Sequence, residues 1–204
     1  MIPLVVLLGA PGSGKGTQAA SISSLFGYEI VSTGDLIRAE ISSNSDDGIK
    51  MAEYLNNGQL VPDAFISKLL NNVLHKNSLG NGLILDGIPR TVYQAKLLDS
   101  ILSTLSSLKV HIFFFQIPYD LLTQRILGRL ICSKCKELFH SEFSPPKKSG
   151  CCDHCGSKLL VRSDDTLETL NERYRVFNKN MVPIISFYGE KVKVIDATKN
   201  YGGC

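Results

Sequence analysis

The sequence predicts an α/β fold, a parallel sheet with helices packed on both faces. Short apolar runs alternate with helical stretches, and the first run ends directly in a glycine-rich turn that opens a helix. A long amphipathic stripe follows near the end of the chain. With 204 residues, 44% hydrophobic and 20% charged, the chain can bury one full core and has no excess length for a second large domain. One domain over residues 1–204, carrying insertions, is expected.

Four or five apolar runs read as buried parallel strands: PLVVLL near the start, YEIV before Ser32, LILD ending at Asp86, HIFFFQI, and KVKVID near the end. The longest helical stretch covers residues 166–188, where Leu167, Leu170, Tyr174, Phe177, Met181, Ile184 and Tyr188 recur at steps of three and four. That stripe is expected in the core, with Pro183 bending the helix near its end and Asp165, followed by Glu168, capping its start. Two segments break the alternation and read as insertions. Residues 32–61 hold short helices around the polar loop SSNSDDG, and residues 132–161 are rich in Cys, Lys, Pro and Gly.

No run approaches the roughly 20 apolar residues that cross a bilayer, and the first strand has no basic leader. A soluble, cytoplasmic protein without membrane association is expected. The formal charge of +3 is too small to argue for nucleic-acid binding. Five of the six cysteines fall between Cys132 and Cys155, with Cys204 apart, which favours metal binding in a reducing compartment over disulfides.

The run LLGAPGSGKGTQ lets Gly9, Gly12, Gly14 and Gly16 wrap backbone N–H groups around a polyphosphate, with the Lys15 ammonium on its outer phosphates. It matches Gly-x-x-x-x-Gly-Lys and then departs: Gly16 stands at the usual Ser/Thr position and Thr17 follows it. Downstream, Arg125 and Arg129 are four apart, so they are expected to share one helical face and converge on one polyanion. Asp86, ending an apolar strand beside such a loop, suits a magnesium ion held directly or through water.

Cys132 and Cys135, then Cys152 and Cys155, form two Cys-x-x-Cys knuckles, the layout of a four-thiolate structural Zn2+ site. Cys151 and His154 share the same spacing, so a mixed ligand set competes.

The form GAPGSGKGTQ, followed by STGDLIRA, GQLVPD and LDGIPRTVYQA in that order, resembles the adenylate kinase family over nearly the whole first half of the chain. The register of the cysteines resembles the family's zinc-bearing members. The resemblance implies a P-loop three-layer fold with a five-stranded parallel sheet, a helical NMP-binding insertion at residues 32–61 and a zinc-binding lid at residues 128–165. It implies reversible, Mg2+-dependent phosphoryl transfer from ATP to AMP, giving two ADP, by a monomer. ATP is then held by Gly12, Ser13, Gly14, Lys15, Gly16, Thr17, Arg125 and Arg129, with Leu138, Phe139, His140 and Lys199 about its base.

For AMP, the resemblance assigns Thr33, the backbone of Gln59, Leu60 and Val61, and Gln94 to the adenosine, and Arg38 and Arg90 to the phosphate, with Gly87, Ile88 and Pro89 lining the turn. Thr33 favours AMP over UMP or CMP, because related pyrimidine nucleotide kinases often carry Ala there. Ile88 stands where the family usually has an aromatic residue. Lys15, Arg90, Arg125, Arg129, Arg162 and Arg173 surround the transferred group, and Asp164 and Asp165 anchor the lid. Taken alone, Arg38 pairing with Asp35 on an exposed helix is the simpler reading. The alternatives are a related kinase with another donor or acceptor, such as GTP to AMP, and a zinc-ribbon nucleic-acid binder with a P-loop switch.

Overall fold

The computed structural model describes residues 1–74, 80–104 and 107–199; Cys204 lies outside them. Five strands form one parallel sheet: β1 (Ile2–Gly9), β2 (Glu29–Ser32), β3 (Leu83–Asp86), β4 (Leu108–Gln116) and the last, β8 (Val192–Asp196). Their order is β2-β3-β1-β4-β8, with β1 in the centre. Alternation along β1 divides the core. Leu4, Val6 and Leu8 join Leu98 and Ile184 on one face, whereas Val5 and Leu7 join Ala19 and Phe115 on the other.

Of the central strands, β1 and β3 match the expectation of near-continuous burial, whereas β4 buries only Ile112 and Phe115, and the edge strands depart from it further. Ile30 is 38% exposed on β2, and Val194 is 59% exposed on β8. A strand with one neighbour is covered less completely than a central one, and a run of apolar letters does not say which it will be.

Helices connect the strands: α1 (Lys15–Phe26), α2 (Thr33–Ser42), α3 (Asp46–Asn56), α4 (Asp63–Leu74), α5 (Val92–Ser103), α6 (Tyr119–Leu127) and α7 (Leu167–Tyr188). The polar loop between α2 and α3 ends in a cap, the Ser45 hydroxyl accepting the Gly48 N–H at 2.9 Å. Helix α7 continues through Pro183. Its N-cap is Thr166, whose hydroxyl accepts the Thr169 N–H at 3.1 Å, not Asp165 as the sequence suggested. Asp165 is drawn away by Arg129, since an ion pair competes for the carboxylate more strongly than a backbone N–H does. Leu167, expected in the core stripe, is 51% exposed because it lies in the first turn, beyond the sheet.

Between α6 and α7 the chain forms a separate antiparallel sheet of β5 (Arg129–Cys132), β6 (Leu138–His140) and β7 (Leu159–Leu160), in the order β6-β5-β7. Its own core is small: Cys132, Cys152 and Leu159, flanked by Leu130, Phe139 and Cys155. Among the described residues no helix is long and apolar enough to cross a membrane.

Candidate active site

The parallel strands end together. Leu7 of β1 stands opposite Asp86 of β3, and Asp86 opposite Ser32 of β2, so the loop after β1, the turn after β3 and the start of α2 meet at one edge of the sheet. The loop after β1 turns into α1 through Gly12 and Gly14, both in the left-handed region at φ +80° and +91°. A side chain at Gly12 is excluded twice, since its Cβ would also sit 2.8 Å from Ile126.

Lys15 folds back into this loop, its ammonium donating to the carbonyls of Gly9 at 2.8 Å and Ala10 at 2.7 Å and to the Ser13 hydroxyl at 3.2 Å. Burial pushes it down from 10.5 to about 8; Asp86 pulls upward, and Arg90 and Arg129 add to the fall. A Cβ on Gly16 would lie 3.5 Å from Asp86 and 3.7 Å from Leu138, which places β6 over the loop. Asp86 is the carboxylate of this edge beside the loop lysine, a hard oxygen donor of the kind that Mg2+ takes, and Gly16 adds no hydroxyl.

Thr33, 3% exposed, donates to the Gly87 carbonyl at 2.9 Å, and Arg90 donates to the same oxygen through Nε at 2.7 Å. Together with Leu60, Val61 and Gln94 these residues line a small pocket at the sheet edge. Ile88 is fully buried in the main core and joined to Pro89 by a cis peptide, so the aliphatic side chain fills its place in the packing. Arg38 does pair with Asp35, at 2.6 Å, while Arg162 reaches the same carboxylate at 3.9 Å.

Arg125 and Arg129 do not share one helical face, contrary to the expectation from their spacing. Gly128 ends α6 after Leu127, and Arg129 lies in β5. Arg125 donates to the carbonyl of Ala197 at 2.9 Å and of Lys199 at 3.4 Å, while its Nη1 stands 4.0 Å from where a Gly14 Cβ would be. Arg129 binds Asp165, and Arg173 binds Asp164 and reaches Asp165 at 3.7 Å. Arg162 is the least satisfied of the set: its buried Nε has no hydrogen-bond partner. Burial, with Arg129 and Arg38 nearby, pushes it down to about 10. Cations from β3's turn, α2, β5, the start of α7 and the loop before it thus crowd one region, which a polyanion would neutralise.

Residues 7–193 match the family described as Adenylate kinase. The Adenylate kinase of Clostridium perfringens is 41% identical over 96% of this chain and 91% of its own length. That of Clostridium beijerinckii is 42% identical over the same shares, and that of Caldicellulosiruptor saccharolyticus 39% over 95% and 90%. The chain belongs to the adenylate kinase family.

In this member the small sheet brings four thiols together. The sulfurs of Cys132 and Cys155 are 3.4 Å apart, Cys135 and Cys152 3.5 Å, and all four lie within 4.8 Å of one another. Tetrahedral Zn2+ with Zn–S near 2.3 Å requires edges of about 3.8 Å, so the cluster fits that ion closely. The sulfurs are too far apart for disulfides, whose S–S bond is about 2.05 Å. Cys151 and His154 are not in the cluster. Bonds from the Ser157 hydroxyl and N–H, then from Cys132, hold the Cys155 thiol down at about 6. Cys135, against the pull of the Glu137 N–H, is pushed up to about 12 by burial and its three sulfur neighbours, so the four thiols do not ionise together without a cation among them.

His140 has both ring nitrogens occupied: Nε2–H donates to the Gln124 carbonyl at 3.1 Å, and Nδ1 accepts the N–H groups of Glu142 and Phe143 at 3.0 Å. It ties the small sheet to α6, a role that its place in the sequence did not announce. Asp63, also unforeseen, accepts from Gln94 and Thr91. Hydrogen-bond networks between distant segments leave no local spacing to read.

Proposed function

We propose that this chain catalyses reversible transfer of the γ-phosphoryl group of ATP to AMP, giving two ADP. The observation that carries the reading is the convergence of Lys15, Arg38, Arg90, Arg129, Arg162 and Arg173 on the edge where the loop, Asp86 and the Thr33–Gln94 pocket meet. A phosphate oxygen of AMP attacks the γ-phosphorus as the β–γ P–O bond breaks, and the protein supplies alignment and positive charge.

Donor phosphates lie in the loop from Gly12 to Thr17 with Lys15, flanked by Arg125 and Arg129, and the donor base lies by Leu138, Phe139, His140 and Lys199. The acceptor takes the Thr33–Gln94 pocket, with its phosphate between Arg38 and Arg90. Asp86 is the residue that would hold, through water, a magnesium ion bound with ATP, which would supply positive charge to the phosphates. Cys132, Cys135, Cys152 and Cys155 would hold a zinc ion that staples the small sheet, and their four thiolates would leave it no open position for chemistry.

In this reading residues 32–61 and 128–165 are mobile insertions that close over the substrates and exclude water, which would otherwise accept the phosphoryl group. The reading includes action as a monomer, and a reducing compartment such as the cytoplasm suits its clustered free thiols. A coupled assay over ATP and GTP as donors and AMP, UMP, CMP and GMP as acceptors tests the reading. Efficient ADP formation from ATP and AMP is expected; failure with AMP beside good turnover of another monophosphate overturns it.

A further inference from the structure

Gln94 is 2% exposed and lines the acceptor pocket, with both ends of its amide engaged. Its Oε1 accepts the Arg90 backbone N–H at 2.7 Å, and its Nε2 donates to Asp63 Oδ1, also at 2.7 Å. Asp63 opens α4, a different element, and is itself held by the Thr91 hydroxyl at 3.2 and 3.3 Å. The same hydroxyl caps α5 by accepting the Gln94 N–H at 3.1 Å.

A backbone N–H can only donate and a carboxylate can only accept. Turned over, the Gln94 amide, itself buried, would set donor against donor at the Arg90 N–H and acceptor against acceptor at the half-buried Asp63. The amide therefore has one orientation, and each end keeps one unused position: a second N–H on Nε2 and a second lone pair on Oε1.

We propose that Asp63 sets the base selectivity of the acceptor site by locking Gln94. The locked amide shows a donor and an acceptor in fixed order. A 6-aminopurine presents the complementary pair, an N1 acceptor beside a 6-amino donor; a 6-oxopurine presents the reverse, an N1–H donor beside an O6 acceptor. With its phosphate held by Arg38 and Arg90 and its ring in the pocket that Thr33 and Leu60 help to line, the base cannot turn over to compensate. Asp63 acts through Gln94 and is a positioning residue. The inference rests on the acceptor reading proposed above.

Asp63→Asn tests it, because an amide at this position can donate or accept and so removes one of the two bonds that fix Gln94, leaving the Arg90 N–H alone against turning. The readout is kcat/KM for AMP against IMP with ATP as donor, with the binding of each monophosphate measured directly by calorimetry. The AMP to IMP preference should fall roughly tenfold or more, while the KM for ATP and the melting temperature hold. An unchanged preference in a folded variant overturns the proposal. Should Asp63→Asn lower the melting temperature, Asp63→Ser keeps a small polar group at the helix start and still cannot lock the amide, and the same criterion applies to it. A wild-type protein that binds AMP and IMP equally fails earlier, at the acceptor reading itself.

Discussion

Lys15 sits among carbonyl oxygens as a cation whose charge is disfavoured, held near 8 where an ordinary lysine titrates at 10.5. A triphosphate beside the ammonium favours the charged form and returns the pKa upward. Below about 8, Lys15 carries its proton before and after binding; above that value, binding must draw the proton from solvent. Nucleotide affinity should therefore be flat at lower pH and weaken above about 8, by up to about tenfold per pH unit. Calorimetry near pH 9, in two buffers of different ionisation enthalpy, should register proton uptake that Lys15→Met abolishes; uptake that persists in the variant would assign the proton to another group. The identity of Lys15 was legible in the sequence because the loop is contiguous. The partners of Arg125 and Arg129 were not, because Gly128 ends the helix between them and sends one to the turn at Ala197 and the other to Asp165.

Among the elements, the junction of α6 and β5 carries the most consequence. Gly128 has an ordinary φ, yet a Cβ there would lie 2.3 Å from the His140 ring, and its carbonyl accepts the Ser141 N–H at 2.8 Å. The small sheet is therefore hung from α6 through close contact of Gly128 with a histidine whose nitrogens are both bonded. Gly128→Ala should displace β5, and with it Arg129, and lower kcat/KM by roughly tenfold to a hundredfold. Thermal stability of the parallel-sheet core should be nearly unchanged, as a melting curve beside steady-state kinetics would show. Equal losses of melting temperature and activity would make the contact merely structural. The glycine was visible in the sequence, but its reason was not: the ring that excludes a side chain comes from β6, twelve positions on.

At the scale of the molecule, the parallel sheet buries two apolar clusters, whereas the three-stranded sheet has a core of two cysteines and one leucine. A core that small cannot stand alone, so the four thiols bear on the stability of the whole unit. Metal analysis should return about one zinc per chain. Cys152→Ser should remove it and lower the thermal midpoint of the small sheet ahead of the parallel sheet, seen by hydrogen exchange at residues 129–160. A metal-free wild type of the same stability would show that the thiols need no ion.

The sequence by itself determined what is local or periodic: the α/β class, the five strands, the phosphate loop, the two cysteine knuckles and the long final helix. Each is encoded in contiguous letters, because alternation, glycine spacing and ligand spacing are properties of one segment. Only the tertiary structure decided which strands are edges, that Thr166 and not Asp165 caps α7, that Cys152 and Cys155 rather than Cys151 and His154 join the first knuckle, and that Asp63 orients Gln94. Those outcomes depend on which of several able partners lies nearest once distant segments are packed together. A carboxylate that could cap a helix pairs instead with an arginine some thirty-six residues away, because packing brings the stronger partner within reach.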